Sequence, residues 1–137
     1  MLEIQLHKIL NVSLCWDIVR DIRWSDGVFC PSCQSSEVVK NGKDKSHPDK
    51  QHYQCNSCSK YFDDLTDTIF SGSQHPIHHW ITVLYMMNLN CSNHQIGKEL
   101  DIPDSTIQDM CSKIREGVTK KNLIYFLVRK LNLTNVM

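Results

Sequence analysis

No apolar run in the chain approaches the ~18 residues that would suggest a membrane-spanning helix. The first residues lack the basic-then-apolar layout of a secretory signal. A cytoplasmic protein is therefore expected, with no membrane partner. Net charge is also missing, because 15 Lys and Arg offset 15 Asp and Glu. That balance argues mildly against strong non-specific binding to DNA. A Gly-rich phosphate loop, a nucleophile motif and a βαβ pattern are all absent from the sequence.

What is present is cysteine in a specific pattern. Cys30-Pro31-Ser32-Cys33 is followed, 21 residues later, by Cys55-Asn56-Ser57-Cys58. A two-residue gap lets both thiolates of a pair turn inward from one tight knuckle. Two such knuckles complete a tetrahedron, the geometry of a closed structural zinc site. The interval between the pairs is about one residue longer than the usual window. Two disulfides would need an oxidising compartment, for which no export signal speaks. A redox Cys-x-x-Cys is normally single and accompanies a βαβ unit. One structural Zn2+ on Cys30, Cys33, Cys55 and Cys58 is the expectation. Four thiolates leave no open position for water, so catalysis at the metal is not expected. Cys15, Cys91 and Cys111 remain, each in a helical pattern with apolar neighbours, where buried thiols are the rule.

The predicted fold class is α+β: a helix, a small three-stranded zinc ribbon and a trihelical helix-turn-helix domain. Residues 1–12 are weakly patterned and leave helix or loose chain open. Asn11 or Ser13 can cap a helix reaching about Arg23, with Cys15, Ile18, Val19 and Ile22 on one face. That face is expected to cover the zinc module. Residues 37–40, 51–54 and 60–63 read as strands, with a turn or bulge at Asn41-Gly42 and a polar loop over 43–50. So small a sheet cannot bury enough surface alone, and structural zinc contributes on the order of 10 kcal/mol to such modules.

Residues 64–75 read as a linker. Pro76 suits the first turn of a helix carrying Ile77, Trp80, Ile81, Leu84 and Met87. Ser92 can cap the next, with Ile96 and Leu100 inward and Gly97 leaving room for a neighbour. Asp101-Ile102-Pro103 is a turn, and Asp104 or Ser105 caps a helix burying Ile107, Met110, Cys111 and Ile114. This is helix-turn-helix spacing. The second helix would enter the major groove with Ser105, Thr106, Gln108, Ser112 and Lys113 outward, and Asp109 unhelpfully beside phosphates. An ordinary trihelical bundle is the plainer alternative. The tail holds Leu123-Ile124-Tyr125-Phe126-Leu127-Val128, either strand or helix, with no evident partner in the chain. If exposed, it would mark an interface with a second copy or another chain. The expected divisions are 1–27, 28–70, 71–118 and 119–137.

Charge is unevenly spread. Residues 38–60 carry five lysines against two aspartates, and 113–130 carry six bases against Glu116. Lys43, Lys45 and Lys50 are candidate phosphate contacts. His75, His78 and His79 lie at helical spacing but read as surface residues rather than a second metal site. Asp63, Asp64 and Asp67 read as a polar turn.

Arg23-Trp24-Ser25-Asp26-Gly27-Val28-Phe29-Cys30-Pro31-Ser32-Cys33, Tyr53-Gln54-Cys55-Asn56-Ser57-Cys58 and Tyr61-Phe62-Asp63-Asp64-Leu65-Thr66 together resemble the N-terminal zinc ribbon of prokaryotic insertion-sequence transposases. Thr68-Ile69-Phe70, the helix with Trp80, and Ser92-Asn93-His94-Gln95-Ile96-Gly97-Lys98-Glu99-Leu100 extend the resemblance over roughly residues 13–117. It departs at Gln34 and Ser59, where ribbon knuckles often carry Gly to reach positive φ. Asp101 likewise stands at a turn position that often carries Gly. The resemblance implies a target in the terminal inverted repeats of a mobile element. Such transposases continue into a ribonuclease-H-like domain with an acidic triad on two metal ions. Only 21 residues follow Glu116 here, so no catalytic residue can be assigned.

The expected function is zinc-dependent binding of double-stranded DNA by a transposase recognition region, truncated or stand-alone, without enzymatic activity of its own. A transcriptional regulator, a cleaving enzyme completed by another chain, and a protein-interaction ribbon without DNA are the alternatives.

Overall fold

The computed structural model describes residues 11–45 and 49–136. The undecided pattern at the N-terminus lies almost wholly outside the described residues, as does the middle of the 43–50 loop.

Helix α1 spans Val12–Arg23 and is capped by Asn11, whose side chain accepts from the Leu14 amide at 3.0 Å. Strands β1 (Val38–Lys43), β2 (Gln51–Cys55) and β3 (Tyr61–Asp63) form an antiparallel sheet in that order. Val38 faces Cys55, Lys40 faces Tyr53, and Tyr53 faces Phe62. The register slips between Lys40 and Lys43, where Gly42 takes φ 85°. This is the bulge anticipated at Asn41-Gly42. Along β2, Gln51, Tyr53 and Cys55 alternate inward. Tyr53 and Phe62 stack at 5.2 Å, and Trp24 packs edge-on to both. With Cys30 and Cys55 these rings form the buried ribbon core, against which Val28, Val38 and Cys58 pack.

Four further helices follow: α2 (Ile77–Asn88), α3 (Asn93–Leu100), α4 (Asp104–Thr119) and α5 (Leu123–Lys130). A 3-10 turn over Thr134–Val136 closes the described chain. Five α-helices thus occur among the described residues, and the tail, left open as strand or helix, is the fifth. Ser92 caps α3 in a reciprocal capping box with Gln95. Asp101 ends α3 in the left-handed region at φ 55°. A Cβ on Gly97 would lie 2.5 Å from the Ile102 carbonyl oxygen, so only glycine lets the turn fold back this closely. Neither Asp104 nor Ser105 caps α4; Pro103 holds the cap position without a side-chain bond. Its fixed φ starts the helix instead.

Three packing expectations change. The apolar face of α1 does not cover the zinc module. Cys15, Trp16, Ile18 and Val19 join the helical core, and α1 contacts α2 and α5. The tail does have a partner: Leu123, Ile124, Leu127 and Val128 are buried at helical spacing in that same core, leaving Phe126 exposed. The tail packs on α4, just before it, and on α1, about 100 residues upstream, and a short apolar run does not reveal such a composite face. The 64–75 segment is a series of turns rather than a loose linker. Its Phe70 is buried edge-on against Trp80 at 5.3 Å. Among the described residues no helix is long and apolar enough to cross a membrane.

Candidate metal centre and recognition helix

The two knuckles repeat one backbone pattern. The amide of Gln34 bonds the Cys30 carbonyl, and that of Ser59 bonds the Cys55 carbonyl, each at 2.9 Å. The amides of Cys30 and Cys55 bond the carbonyls of Ser35 and Lys60, again at 2.9 Å. Closing each loop drives the residue after the second cysteine to positive φ, 65° at Gln34 and 64° at Ser59. These are the two positions where glycine was missed, so the geometry is kept at some cost in strain. The Ser35 and Ser57 hydroxyls, 2.8 Å apart, tie one knuckle to the other.

The four sulfurs converge within 4.8 Å of one another. Cys30 and Cys58 are 3.6 Å apart, and Cys33 and Cys55 3.5 Å. A tetrahedron with Zn–S bonds of ~2.3 Å has edges of about 3.8 Å, so the donor set fits one ion. No disulfide joins any of the seven cysteines. Backbone amides aim at the sulfurs: the Cys58 amide, above all, lowers the Cys55 thiol to about 6. The Cys33 amide does the same, less strongly, for Cys30. At Cys33 the Ser35 amide favours the thiolate, but hydrogen bonding to Cys55 together with burial outweighs it and pushes the thiol up to about 12. Four thiols this close cannot all ionise unless a cation replaces their protons. When bound, the metal supplies that positive charge and a covalent-strength clamp. Burial pushes Cys15 up to about 11 and raises Cys111, as suits inert core thiols; Cys91 is half-buried.

Beside this centre lies a feature that sequence reasoning missed. Asp64 is fully buried and both its oxygens are filled. Oδ1 accepts from Trp24 Nε1 at 3.1 Å and the Tyr53 hydroxyl at 2.9 Å. Oδ2 accepts from the Gln51 amide and Arg20 Nη1, both at 3.0 Å. Arg20 also reaches the Asp49 carbonyl at 2.6 Å, and Arg23 bonds the carbonyls of Asp64 and Thr66. The polar edge of α1 therefore clasps the ribbon while its apolar face enters the helical core. Burial, then the Asp64 charge, raises the Tyr53 pKa. Asp64 is a structural anchor, not part of an acidic metal cluster. Only its place two residues after the core aromatic Phe62 hints at this.

Residues 13–61 match the model of the transposase zinc-ribbon domain family. Residues 13–61 are thus similar to a transposase zinc ribbon. A protein of Halobacterium salinarum described as an uncharacterized protein in transposable element ISH50 is 34% identical over 92 residues. The match covers 66% of this chain and 30% of that relative, so the chain spans about a third of its length. No solved structure matches the chain. The transposase ribbon match begins inside α1, the helix that physically joins ribbon to helical core.

Beyond the transposase ribbon, α3, a three-residue turn and α4 follow in helix-turn-helix order. On α4, Ser105, Gln108, Asp109, Ser112 and Lys113 are exposed, while Thr106 is half-buried. Ile107, Met110, Cys111 and Ile114 hold the opposite side in the core. Lys43 and Lys45 are exposed on the ribbon. Lys50 is not: it lies half-buried between Asp44 at 3.5 Å and Asp63 at 3.7 Å. His75, His78 and His79 do not converge with other donors. Among the described residues the four cysteines are the one group able to surround a metal. His78 and His79 are half-buried and bury an Nδ1 atom each without a hydrogen-bond partner.

Proposed function

We propose that this chain is a transposase recognition region that binds duplex DNA at the ends of a mobile element. The observation that carries the proposal is a transposase-family zinc ribbon followed by helices in helix-turn-helix order. In this reading α4 enters the major groove. Gln108, Ser105 and Ser112 meet base edges, and Lys113, Lys43 and Lys45 meet phosphates. Thr106 and Lys50 are weaker candidates, one half-buried and the other held by two carboxylates. The ribbon is structural, and the Asp64–Arg20 clasp holds its lysines at a set distance from α4. Recognition, rather than strand cleavage, is assigned to these residues.

The test is a gel-shift titration of the zinc-loaded chain. It compares duplexes carrying the terminal repeats that flank its gene with unrelated duplexes. Three lysine–phosphate contacts imply a slope of log K against log salt near about −3, and Lys113→Ala should reduce it by about one. Gln108→Ala should relax discrimination between sites rather than lower all affinities equally. Absence of binding even at low salt would favour the interaction-ribbon alternative. Magnesium-dependent cutting that survives repurification would overturn the assignment of recognition alone.

A further inference from the structure

Phe126 is the exception on α5. Leu123, Ile124, Leu127 and Val128 are buried, yet Phe126 is 53% exposed. It sits where two hollows of about 500 and 420 Å3 adjoin, both also lined by Ile22 and Ser25 at the end of α1. The larger hollow has walls of opposite charge. Asp21 stands on the α1 side, and Arg129 and Lys130 stand on the α5 side. Among the described residues neither Asp21 nor Lys130 has an ion-pair partner. Arg129 is pre-positioned, donating to the Tyr125 hydroxyl at 3.0 Å with its guanidinium 5.7 Å from that ring's centroid.

We propose that this face binds a second copy of the chain about a two-fold axis, each Phe126 entering the groove of the other copy. A two-fold axis sets residue i against residue j and, equally, j against i. A groove with one acidic and one basic wall is then complementary to itself: the Asp21 side of each copy meets the Arg129–Lys130 side of the other. A groove of one sign would repel its own copy, and the acidic wall disfavours nucleic acid as occupant. The exposed ring between the walls supplies the apolar anchor that such contacts concentrate on. The core residues of the tail take no part, since the chain buries them itself.

The test is sedimentation equilibrium of the zinc-loaded chain without DNA, so that its outcome is separate from that of the DNA-binding proposal. The wild type should show a concentration-dependent dimer. Phe126→Glu removes both anchors of the two-fold pair and should weaken self-association by more than ~30-fold, the effect of losing even one of them. Phe126→Ser repeats the test without a new charge. Asp21→Lys and Lys130→Asp should each weaken the dimer, and the double variant should recover most of the loss. Zinc content and circular dichroism check that each variant is folded. A wild type that stays monomeric would overturn the proposal. So would a dimer indifferent to both Phe126 variants, or a double variant no better than the single ones.

Discussion

Replacing Asp64 with asparagine removes one charge and almost no volume, so it isolates the clasp between α1 and the ribbon. The carboxylate accepts four hydrogen bonds, two at each oxygen, all from donors. Asparagine offers one accepting oxygen. Either orientation of its amide points an NH2 at two donors, Trp24 and Tyr53 or Gln51 and Arg20. With the NH2 toward Trp24 and Tyr53 the Tyr53 hydroxyl can turn and accept from it, so the Trp24 bond to a charged acceptor is lost outright, at roughly 1.5–3 kcal/mol, and the other three bonds fall to neutral strength. Removing one partner of a buried ion pair costs about 3–5 kcal/mol by separate measure. Arg20 keeps its contacts to Asp17 and the Asp49 carbonyl, and its side chain is 22% exposed. The lower end, about 3 kcal/mol, is therefore expected. That is a large fraction of a typical total stability of about 5–15 kcal/mol. Urea unfolding at saturating zinc, followed by tryptophan fluorescence and by far-ultraviolet dichroism, reads the loss directly. Asp67→Asn, at an exposed position, should change stability by less than about 0.5 kcal/mol. A loss below about 1 kcal/mol for Asp64→Asn would refute the reasoning.

Three other changes should behave as follows. Gly97→Ala forces a methyl toward the Ile102 carbonyl and should cost about 1–3 kcal/mol in thermal unfolding, with zinc content unchanged. Gln34→Gly and Ser59→Gly relieve positive φ in the knuckles. Each should be neutral or stabilising by up to about 1 kcal/mol in chelator competition and melting, since glycine's unfolded-state freedom offsets part of the gain. Burial lowers the pKa of His78 and of His79, so folding favours their neutral forms. The unfolded chain then binds more protons in acid, and stability present above the ordinary histidine value is lost as pH falls below about 6.5. A His78→Gln/His79→Gln variant should show a shallower decline between pH 7 and 5 in the same melts; an unchanged slope would contradict this.

What could be read from the chain alone followed from how local each signal is. The Cys-x-x-Cys pairs, the Asn41-Gly42 bulge, and the Asn11 and Ser92 caps depend on neighbours a few residues apart, and all appear in the fold. Even the left-handed backbone at Gln34, Ser59 and Asp101 was foreshadowed, because those positions commonly carry glycine. Long-range partnerships were not legible. Asp64 gathers donors from residues 20, 24, 51 and 53, and nothing in its spacing announces them. The α1 stripe fits two destinations equally well, ribbon or helical core. Only its polar edge, Arg20 and Arg23, turns to the ribbon. The apolar tail looked partnerless because it covers a surface made jointly by α4, just before it, and α1, near the other end of the chain. Lys50 looked like any other lysine of a basic loop until Asp44 and Asp63 were seen beside it.

The central claim is that four sulfurs hold one ion and that this clamp makes the ribbon fold. X-ray absorption on purified, folded protein, together with metal analysis, tests it most directly. One zinc per chain in a shell of four sulfurs at about 2.3 Å is the predicted result. A folded sample without zinc, or a shell containing nitrogen or oxygen in place of sulfur, would contradict it.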